Sequence, residues 1–452
     1  MNDLPKHIAE EDGAEKALQD RAPTLRWLFL DLNSYFASVE QQLRPELRGR
    51  PVIVSPAESE FTSAIAASHE AKKYGIKTGT MIADARVMCR DLVVVQARHD
   101  VYVKFHHAIV KEVWNHIPVT KICSIDEVAC ALIGRERKVE NAVAIANSIK
   151  RGIRKNVGEV MGCSVGLAPS RMLAKVAADM QKPDGLTILE MHDLPAKLLP
   201  LKLGDFPGIG WNMSLRLRER GVETVEDLWK LDRQRTRQLW GSIEGERFWY
   251  ELHGHDIPDR PESKKSSIGH SHVLAAKMRD ADAARLVARR LLLKAGTRLR
   301  RMNLASGAMS LHATFEGLEK PDKWKKRSWR NDEGWGTDLR FHPTQDTAYL
   351  LTKLDEEWMT LIRQRPNRRF KMVGIVLHGL CPADKVTPDL FAAAEAEKHP
   401  AHGVELYTAV DRINKKYGQD TVALGVLPGQ IAKYVGAKIA FNRIPDLAEF
   451  DE

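Results

Sequence analysis

Residues 1–23 are mostly polar, and the first sustained apolar run begins after Thr24. From there to Gly185, short apolar runs alternate with stretches whose apolar residues recur at helical spacing. Residues 25–32 (LRWLFLDL) read as a buried strand, 36–43 as a helix and 51–55 (PVIVS) as a strand. Residues 65–74 and 82–89 predict short helices, followed by a strand at 92–96 and a helix at 101–116. Residues 122–132 (ICSIDEVACAL) predict one continuous strand, 139–156 a helix, 162–168 a strand and 170–180 a helix. A period near 3.6 marks one face of a helix, and a short apolar run bounded by turn residues marks a buried strand. Their alternation implies an α/β or α+β domain.

The pattern then changes. Residues 198–251 predict short helices around a PGIG turn, and a polar stretch at 255–267, rich in Pro, Lys and Ser, reads as a linker. Beyond it come a strand at 267–274, a long basic helix at 280–302, two or three strands, a helix at 344–363 and a strand at 371–378. That is a second, smaller α+β domain. A Pro-containing segment, a helix near 404–417 and a polar tail complete the chain. The expected division is a flexible leader (1–23), a first domain (24–190) with an insertion at about 50–100, and a helical domain (191–255). A linker (256–266), the second α+β domain (267–380) and an extension (381–452) follow. A chain of 452 residues suits roughly three or four domains.

No apolar run is long enough to predict a membrane span, and the first residues lack the basic-then-apolar order of a secretory signal. Five cysteines occur, none in a C-x-x-C pair, which suggests free thiols in a reducing cytoplasm and no structural zinc. The net charge is +9, but it is unevenly placed. Residues 261–380 hold 24 Lys and Arg against 13 Asp and Glu, or +11, while the remainder, 45 against 47, carries −2. A localised positive field of this kind is the footprint of a nucleic-acid partner.

Three carboxylates carry the candidate chemistry. Asp31 closes the first strand, and Asp126 and Glu127 share the predicted strand 122–132. Neighbours on a strand point to opposite faces, so an acidic pair in an apolar strand is costly without a compensating charge. Divalent metal ions supply that compensation and favour carboxylate oxygens.

The surrounding words sharpen this. FLDLNSYFASVEQQ (29–42), IAASHEAKKYGIKTG (65–79), CSIDEVACAL (123–132) and GLAPSRMLAKVAADMQKPDG (166–185) occur in order. Together they resemble the palm and fingers motifs of the Y-family DNA polymerases, the DinB and UmuC group. The resemblance spans about residues 25–380. It implies an α+β multidomain fold with a ferredoxin-like palm, inserted fingers, a helical helix-hairpin-helix thumb and an α+β little finger. It implies two Mg²⁺ ions held by Asp31, Asp126, Glu127 and the carbonyl of Leu32. Ser34, Tyr35 and Phe36 fall at the nucleotide-binding turn, with Phe36 at the position that lies under the sugar. His69, Lys72 and Lys182 match triphosphate-side positions. Lys72 stands where Arg is common, His69 where many DinB-type members have Tyr, and Ala66 where some have Thr. In these details, and in the tail 412–446, the chain looks UmuC-like.

DFPGIGWNMSLRLRERGV (205–222) reads as a helix-hairpin-helix, whose Gly208 and Gly210 let backbone amides approach a DNA phosphate without reading bases. DKWKKRSWRNDEGWG (322–336) mixes cations with three tryptophans, a combination suited to unpaired nucleotides or to packing on its own domain. VTPDLFAA (386–393) resembles a sliding-clamp peptide with Leu390 and Phe391 as anchors, although Thr387 stands where Gln is expected. The resemblance implies an error-prone, lesion-tolerant enzyme extending a primer from dNTPs on primer-template DNA. The clamp and accessory subunits are candidate partners, and no membrane is involved. The alternative is an accessory protein of the same fold that binds primer-template DNA or partner proteins without useful chemistry.

Overall fold

The computed structural model describes residues 25–56, 60, 62–259, 266–316, 334–386, 403–418, 421–422 and 444. They fall into two compact units divided after Asp259.

The first unit is built on β1 (Trp27–Leu32), whose side chains are all buried. It leads through a tight turn into α1 (Tyr35–Leu43). A small module follows, comprising β2 (Val52–Ser55), β3 (Ala66–Ala67), α2 (His69–Lys73), α3 (Ile82–Met88) and β4 (Val93–Gln96). Its sheet runs β3-β2-β4, with β2 and β4 parallel, over its own apolar cluster of Ile53, Ile76, Ile82 and Leu92. The chain continues through α4 (His99–Trp114), β5 (Lys121–Ile122), β6 (Glu127–Ala131), α5 (Val139–Asn156), β7 (Cys163–Ala168), α6 (Arg171–Met180) and β8 (Leu186–Ile188). The main sheet has the order β5-β6-β1-β7-β8. β1 is its middle strand, antiparallel to β6 and to β7, and β8 is parallel to β7. Helices α7 (Trp211–Arg218), α8 (Val225–Trp229), α9 (Arg233–Trp240) and α10 (Ile243–Leu252) form a helical cap, whose Phe206, Leu217, Leu239 and Phe248 share a core with Leu173 and Val176 of α6.

Two expectations change. Residues 65–74 do not form one helix, because Ala67 and Ala66 pair with Ile53 and Val54 of β2. Ser68 is the N-cap of α2, in an extended conformation with Oγ accepting from the amide of Ala71, so the helix cannot begin before His69. Residues 122–132 are not one strand either. Ser124–Asp126 is a bend joining β5 to β6, closed by Ser124 Oγ, which accepts from the Asp126 amide at 3.3 Å and donates to Asp126 Oδ1 at 2.5 Å.

The position of α6 matters most for the site. Its inner face is small, with Ala174, Ala177 and Ala178 fully buried, and it lies over Gly166 of β7. A methyl group on Gly166 would stand 2.0 Å from the carbonyl oxygen of Ala174. Small residues on both sides therefore bring the helix unusually close to the sheet. Ser170 caps it, accepting from the amide of Leu173 and donating to the carbonyl of Glu251 in α10.

The second unit comprises β9 (Ser267–Val273), α11 (Ala281–Arg301), β10 (Leu304–Phe315), β11 (Gly334–Thr344), α12 (Thr347–Gln364) and β12 (Phe370–Pro382), followed by α13 (Gly403–Tyr417). Its antiparallel sheet runs β11-β10-β12-β9. Leu292 and Leu299 of α11, Leu354 and Trp358 of α12, and alternate residues of β10 and β12 form its core. β12 extends beyond the expected 371–378 because it pairs with β10 along most of its length. α13 is tied on by Asp411, which accepts from Arg300 at 2.7 and 3.0 Å and from Thr297 Oγ1 at 2.8 Å. Trp335 belongs to this unit's packing, with Nε1 donating to Gln364 Oε1 at 2.7 Å. Trp324, Trp329, the clamp-like residues Leu390 and Phe391 and the leader lie outside the described residues.

Candidate active site

Asp31 and Glu127 are direct partners across β1 and β6. Like charges placed opposite each other destabilise a sheet, so this pairing requires a cation. Lys175, one turn into α6, puts its ammonium between them, bonded to Asp31 and, at 2.6 Å, to Glu127. Asp179, one turn further along α6, accepts from the same ammonium at 3.2 Å. Lys182 bridges Asp31 at 2.8 Å and Asp179 at 2.6 Å. Asp126 is brought alongside by the backbone, its carbonyl accepting from the amide of Leu32 at 2.9 Å. Because it sits in the bend rather than in β6, it is free of strict strand alternation, and its carboxyl feels the charges of Asp31 and Lys175.

The three carboxyls differ in electrostatics. Burial raises the pKa of Asp126, and the charge of Asp31 adds to it against the Ser124 hydrogen bond. Burial likewise raises Glu127, with Lys175 as its main relief. Burial opposes the charge of Asp31 too, but two lysines outweigh it and hold this carboxyl below its usual range. Lys175 is strongly held in its charged form: burial works against it, but Asp31, Glu127 and Asp179 together prevail.

Would divalent ions fit? The donors are hard carboxylate oxygens, and Asp126 has no ion-pair partner among the described residues. Its raised pKa comes first from burial, which Ser124 and Lys175 only partly offset. Among the described residues no three His, Cys, Asp or Glu side chains are set closely enough to hold a metal ion as they stand, and Lys175 bridges Asp31 and Glu127. The donor chemistry suits a hard cation.

The turn after β1 is a candidate anion site. Ser34 is left-handed (φ 50°) and makes no side-chain cap to α1. Its Oγ is buried without a hydrogen-bond partner. The first amides of a helix have no acceptor within it, so those of Tyr35 and Phe36 are candidates for phosphate oxygens. The Tyr35 hydroxyl is committed to the carbonyl of Tyr102 at 2.7 Å. Phe36 is buried and stacks on Tyr102, with centroids 4.3 Å apart and planes 15° apart, and His99 meets it edge-on.

Lys72 is exposed, yet burial of its ammonium lowers its pKa, and Lys182 adds repulsion while Asp31 opposes. The structure thus brings Lys72, Lys182 and Asp31 into one electrostatic neighbourhood. His69 opens α2, and its pKa is lowered by burial and by Lys72. In the helical cap, Gly208 needs its φ of +90°, and nothing lies within 4 Å of a Cβ placed on it or on Gly210, so the turn is open. Ile209 between them is buried. Trp211, just beyond, is 80% exposed.

Sequence reasoning missed Lys175, Asp179, Asn33 and Tyr102. The i, i+4 spacing of Lys175 and Asp179, in the segment that also contains Lys182, was the available signal for the first two. Tyr102 gave none, because its partners are remote in sequence.

Three family models match the chain in order. The impB/mucB/samB family model covers residues 30–179, the DNA polymerase-iota thumb-domain model 204–256, and the impB/mucB/samB C-terminal domain model 265–390. A DNA polymerase IV of Moorella thermoacetica is 34% identical over 417 residues, spanning 91% of this chain and 98% of that protein. A DNA polymerase IV of Pelotomaculum thermopropionicum is 31% identical over 423 residues, with the same coverage. Among solved structures, the Y-family polymerase chimera Dbh-Dpo4(243-245)-Dbh superposes with a TM-score of 0.63 at 24% identity, covering 78% of this chain and 98% of that one. The insertion ternary complex of Dbh DNA polymerase gives 0.50 with the same identity and coverage.

Fold, carboxylate site and relatives define one class, the polymerases with a Y-family architecture. The chain belongs to the Y-family of DNA polymerases, in its DinB-type, DNA polymerase IV branch. The relatives thus set its UmuC-like details within a DinB-type chain.

Proposed function

We propose that this protein extends a primer 3′-end from dNTPs on a DNA template, across damaged positions as well as intact ones. The convergence of Asp31, Asp126 and Glu127 at the end of β1 carries this reading, and relatives matched over almost their whole length support it. The accessory-protein alternative is not favoured, because relatives matched over almost their whole length are DNA polymerases.

In this reading residues 24–190 form the palm, with the β2–β4 module as fingers. The helical cap is the thumb and the second unit is the little finger. Asp31, Asp126, Glu127 and the Leu32 carbonyl would hold two Mg²⁺ ions, which would supply activation of the 3′-hydroxyl and charge stabilisation of the leaving pyrophosphate. Lys182 and Lys72 supply positive charge to the triphosphate as point charges, without the fork of an arginine. His69 lines the fingers side of that pocket, and the amides after Ser34 take phosphate oxygens. The turn Gly208–Gly210 holds a DNA phosphate, and the basic second unit adds sequence-independent grip. Among the described residues no helix is long and apolar enough to cross a membrane, and we assign the protein to the cytoplasm.

The test is primer extension by purified protein with Mg²⁺ and all four dNTPs, on intact and lesion-bearing templates. Extension on both is expected, and tight primer-template binding with no extension would favour the accessory role. If residues 386–393 engage a sliding clamp, replacing Leu390 and Phe391 with Ala should remove clamp-stimulated synthesis and spare basal synthesis. Stimulation equal to wild type would remove the clamp assignment.

A further inference from the structure

Two turns face the carboxylates from separate parts of the sequence. One is the turn after β1, which carries Ser34 to Phe36. The other is the loop 181–185 between α6 and β8, which carries Lys182. They are joined by one side chain.

Asn33 is buried, with 4% of its surface exposed. Its Nδ2 donates to Ser164 Oγ at 3.0 Å, and its Oδ1 accepts from the amide of Asp184 at 2.8 Å. Its own amide donates to the carbonyl of Gly162 at 2.9 Å, and its carbonyl accepts from Ser38 Oγ at 2.8 Å. Ser164, fully buried on β7 opposite Asp31, relays the link, its Oγ lying 3.4 Å from both the Gln181 carbonyl and the Gly185 amide. The carboxamide therefore reaches both ends of the lysine loop, directly at Asp184 and through Ser164 at Gln181 and Gly185.

The backbone on either side explains why a lock is needed. Ser34 and Asp184 both hold positive φ, 50° and 59°, a region sparsely populated by non-glycine residues, which Asp enters more readily than Ser. Asn33 is bonded to the chain at one and precedes the other. The loop is tight, since a Cβ on Gly185 would stand 1.9 Å from the Gln181 carbonyl oxygen. Lys150 fastens its far side, donating to the Asp184 carbonyl at 2.5 Å.

We infer that Asn33 is a positioning residue for the incoming nucleotide. Its carboxamide makes the turn after β1 and the Lys182 loop one rigid cradle, so that the helix-start amides and the lysine address the same triphosphate. This rests on the reading of Lys182 as a triphosphate contact. Rigid placement lowers the ordering cost of binding, so its loss appears first in dNTP affinity.

Asn33→Leu keeps the bulk and removes both side-chain bonds. It is expected to raise KM for a correct dNTP about tenfold, the equivalent of about 1.4 kcal/mol. kcat should fall by a smaller factor, and primer-template affinity should hold. Ser164→Ala, which loses only the relay hydroxyl, should raise KM a few-fold, and it stands in if Asn33→Leu does not fold. The decisive comparison adds Lys182→Met. If Asn33 acts through the lysine loop, Asn33→Leu raises KM strongly in the wild-type chain and by less than about twofold once Lys182 is gone, a non-additivity expected of residues acting as one unit. Full additivity, or unchanged KM in Asn33→Leu and Ser164→Ala, overturns the positioning role. Unchanged KM in Lys182→Met alone overturns the triphosphate reading, a separate failure.

Discussion

Glu127→Ala is expected to lower primer extension by at least about a thousandfold, with primer-template affinity nearly unchanged. The magnitude follows from the chemistry, because two-metal stabilisation of the developing charge amounts to several kcal/mol, and each 1.36 kcal/mol is tenfold in rate. Asp126→Ala should behave alike. The expectation depends on placement as well as composition. In the proposed reading either truncation removes a metal donor, since Glu127 lies directly opposite Asp31 in the sheet and Asp126 adjoins it, with its backbone carbonyl hydrogen-bonded to Leu32. The measurement is single-turnover extension beside equilibrium binding of a labelled primer-template. Extension by either variant near the wild-type rate would remove these residues from the chemistry. Parallel loss of DNA binding would instead mean that the substitution had disturbed the sheet.

Phe36→Ala should relax the choice between deoxynucleotides and ribonucleotides by about one to two orders of magnitude. A wall packed against C2′ rejects one extra hydroxyl by overpacking, an effect of about 1–3 kcal/mol. Such a wall must not yield, and here it is backed. The Phe36 ring stacks on Tyr102, whose hydroxyl is bonded to the fully buried Glu40 at 2.8 Å. Arg98 grips the same carboxylate at 2.6 and 3.1 Å. Truncation removes the wall and leaves a cavity, so the overall rate should fall as well. The informative quantity is kcat/KM for dCTP over that for CTP opposite template G. Tyr35→Ala is the control, because its hydroxyl is already spent on the carbonyl of Tyr102. A ratio unchanged in Phe36→Ala would reduce the ring to packing, and relaxation in Tyr35→Ala instead would shift the sugar contact by one residue.

Local signals made much of this fold legible. The helix at 139–156 and the strand expected at 162–168 followed from local signals, because the helix presents one buried stripe and the strand is a short run buried on both faces. Failures came where a side chain overrode the pattern. Ser68 delayed a helix that the alanines around it favoured, and Ser124 bent a run whose composition looked like uninterrupted strand. The acidic residues could be picked out by type and motif, but not the way they are neutralised. Lys175 meets Asp31 across 144 positions of sequence, and no periodicity reports such a meeting. Asn33 was passed over for the opposite reason, since an asparagine after a strand reads as an ordinary turn residue until its remote partners are known.

Gly166 carries no functional group and touches none of the acids, yet the standing of the site depends on it. The Ala174 carbonyl occupies the space where a side chain would begin, and that oxygen belongs to the residue just before Lys175. Backbone cannot rotate aside as a side chain can, so even one methyl group must lift α6 from the sheet, and Lys175 and Asp179 would move with it. A survey of burial would file this position under packing, while a survey of activity is expected to rank it beside the carboxylates, because the close approach that seals the core also places the lysine.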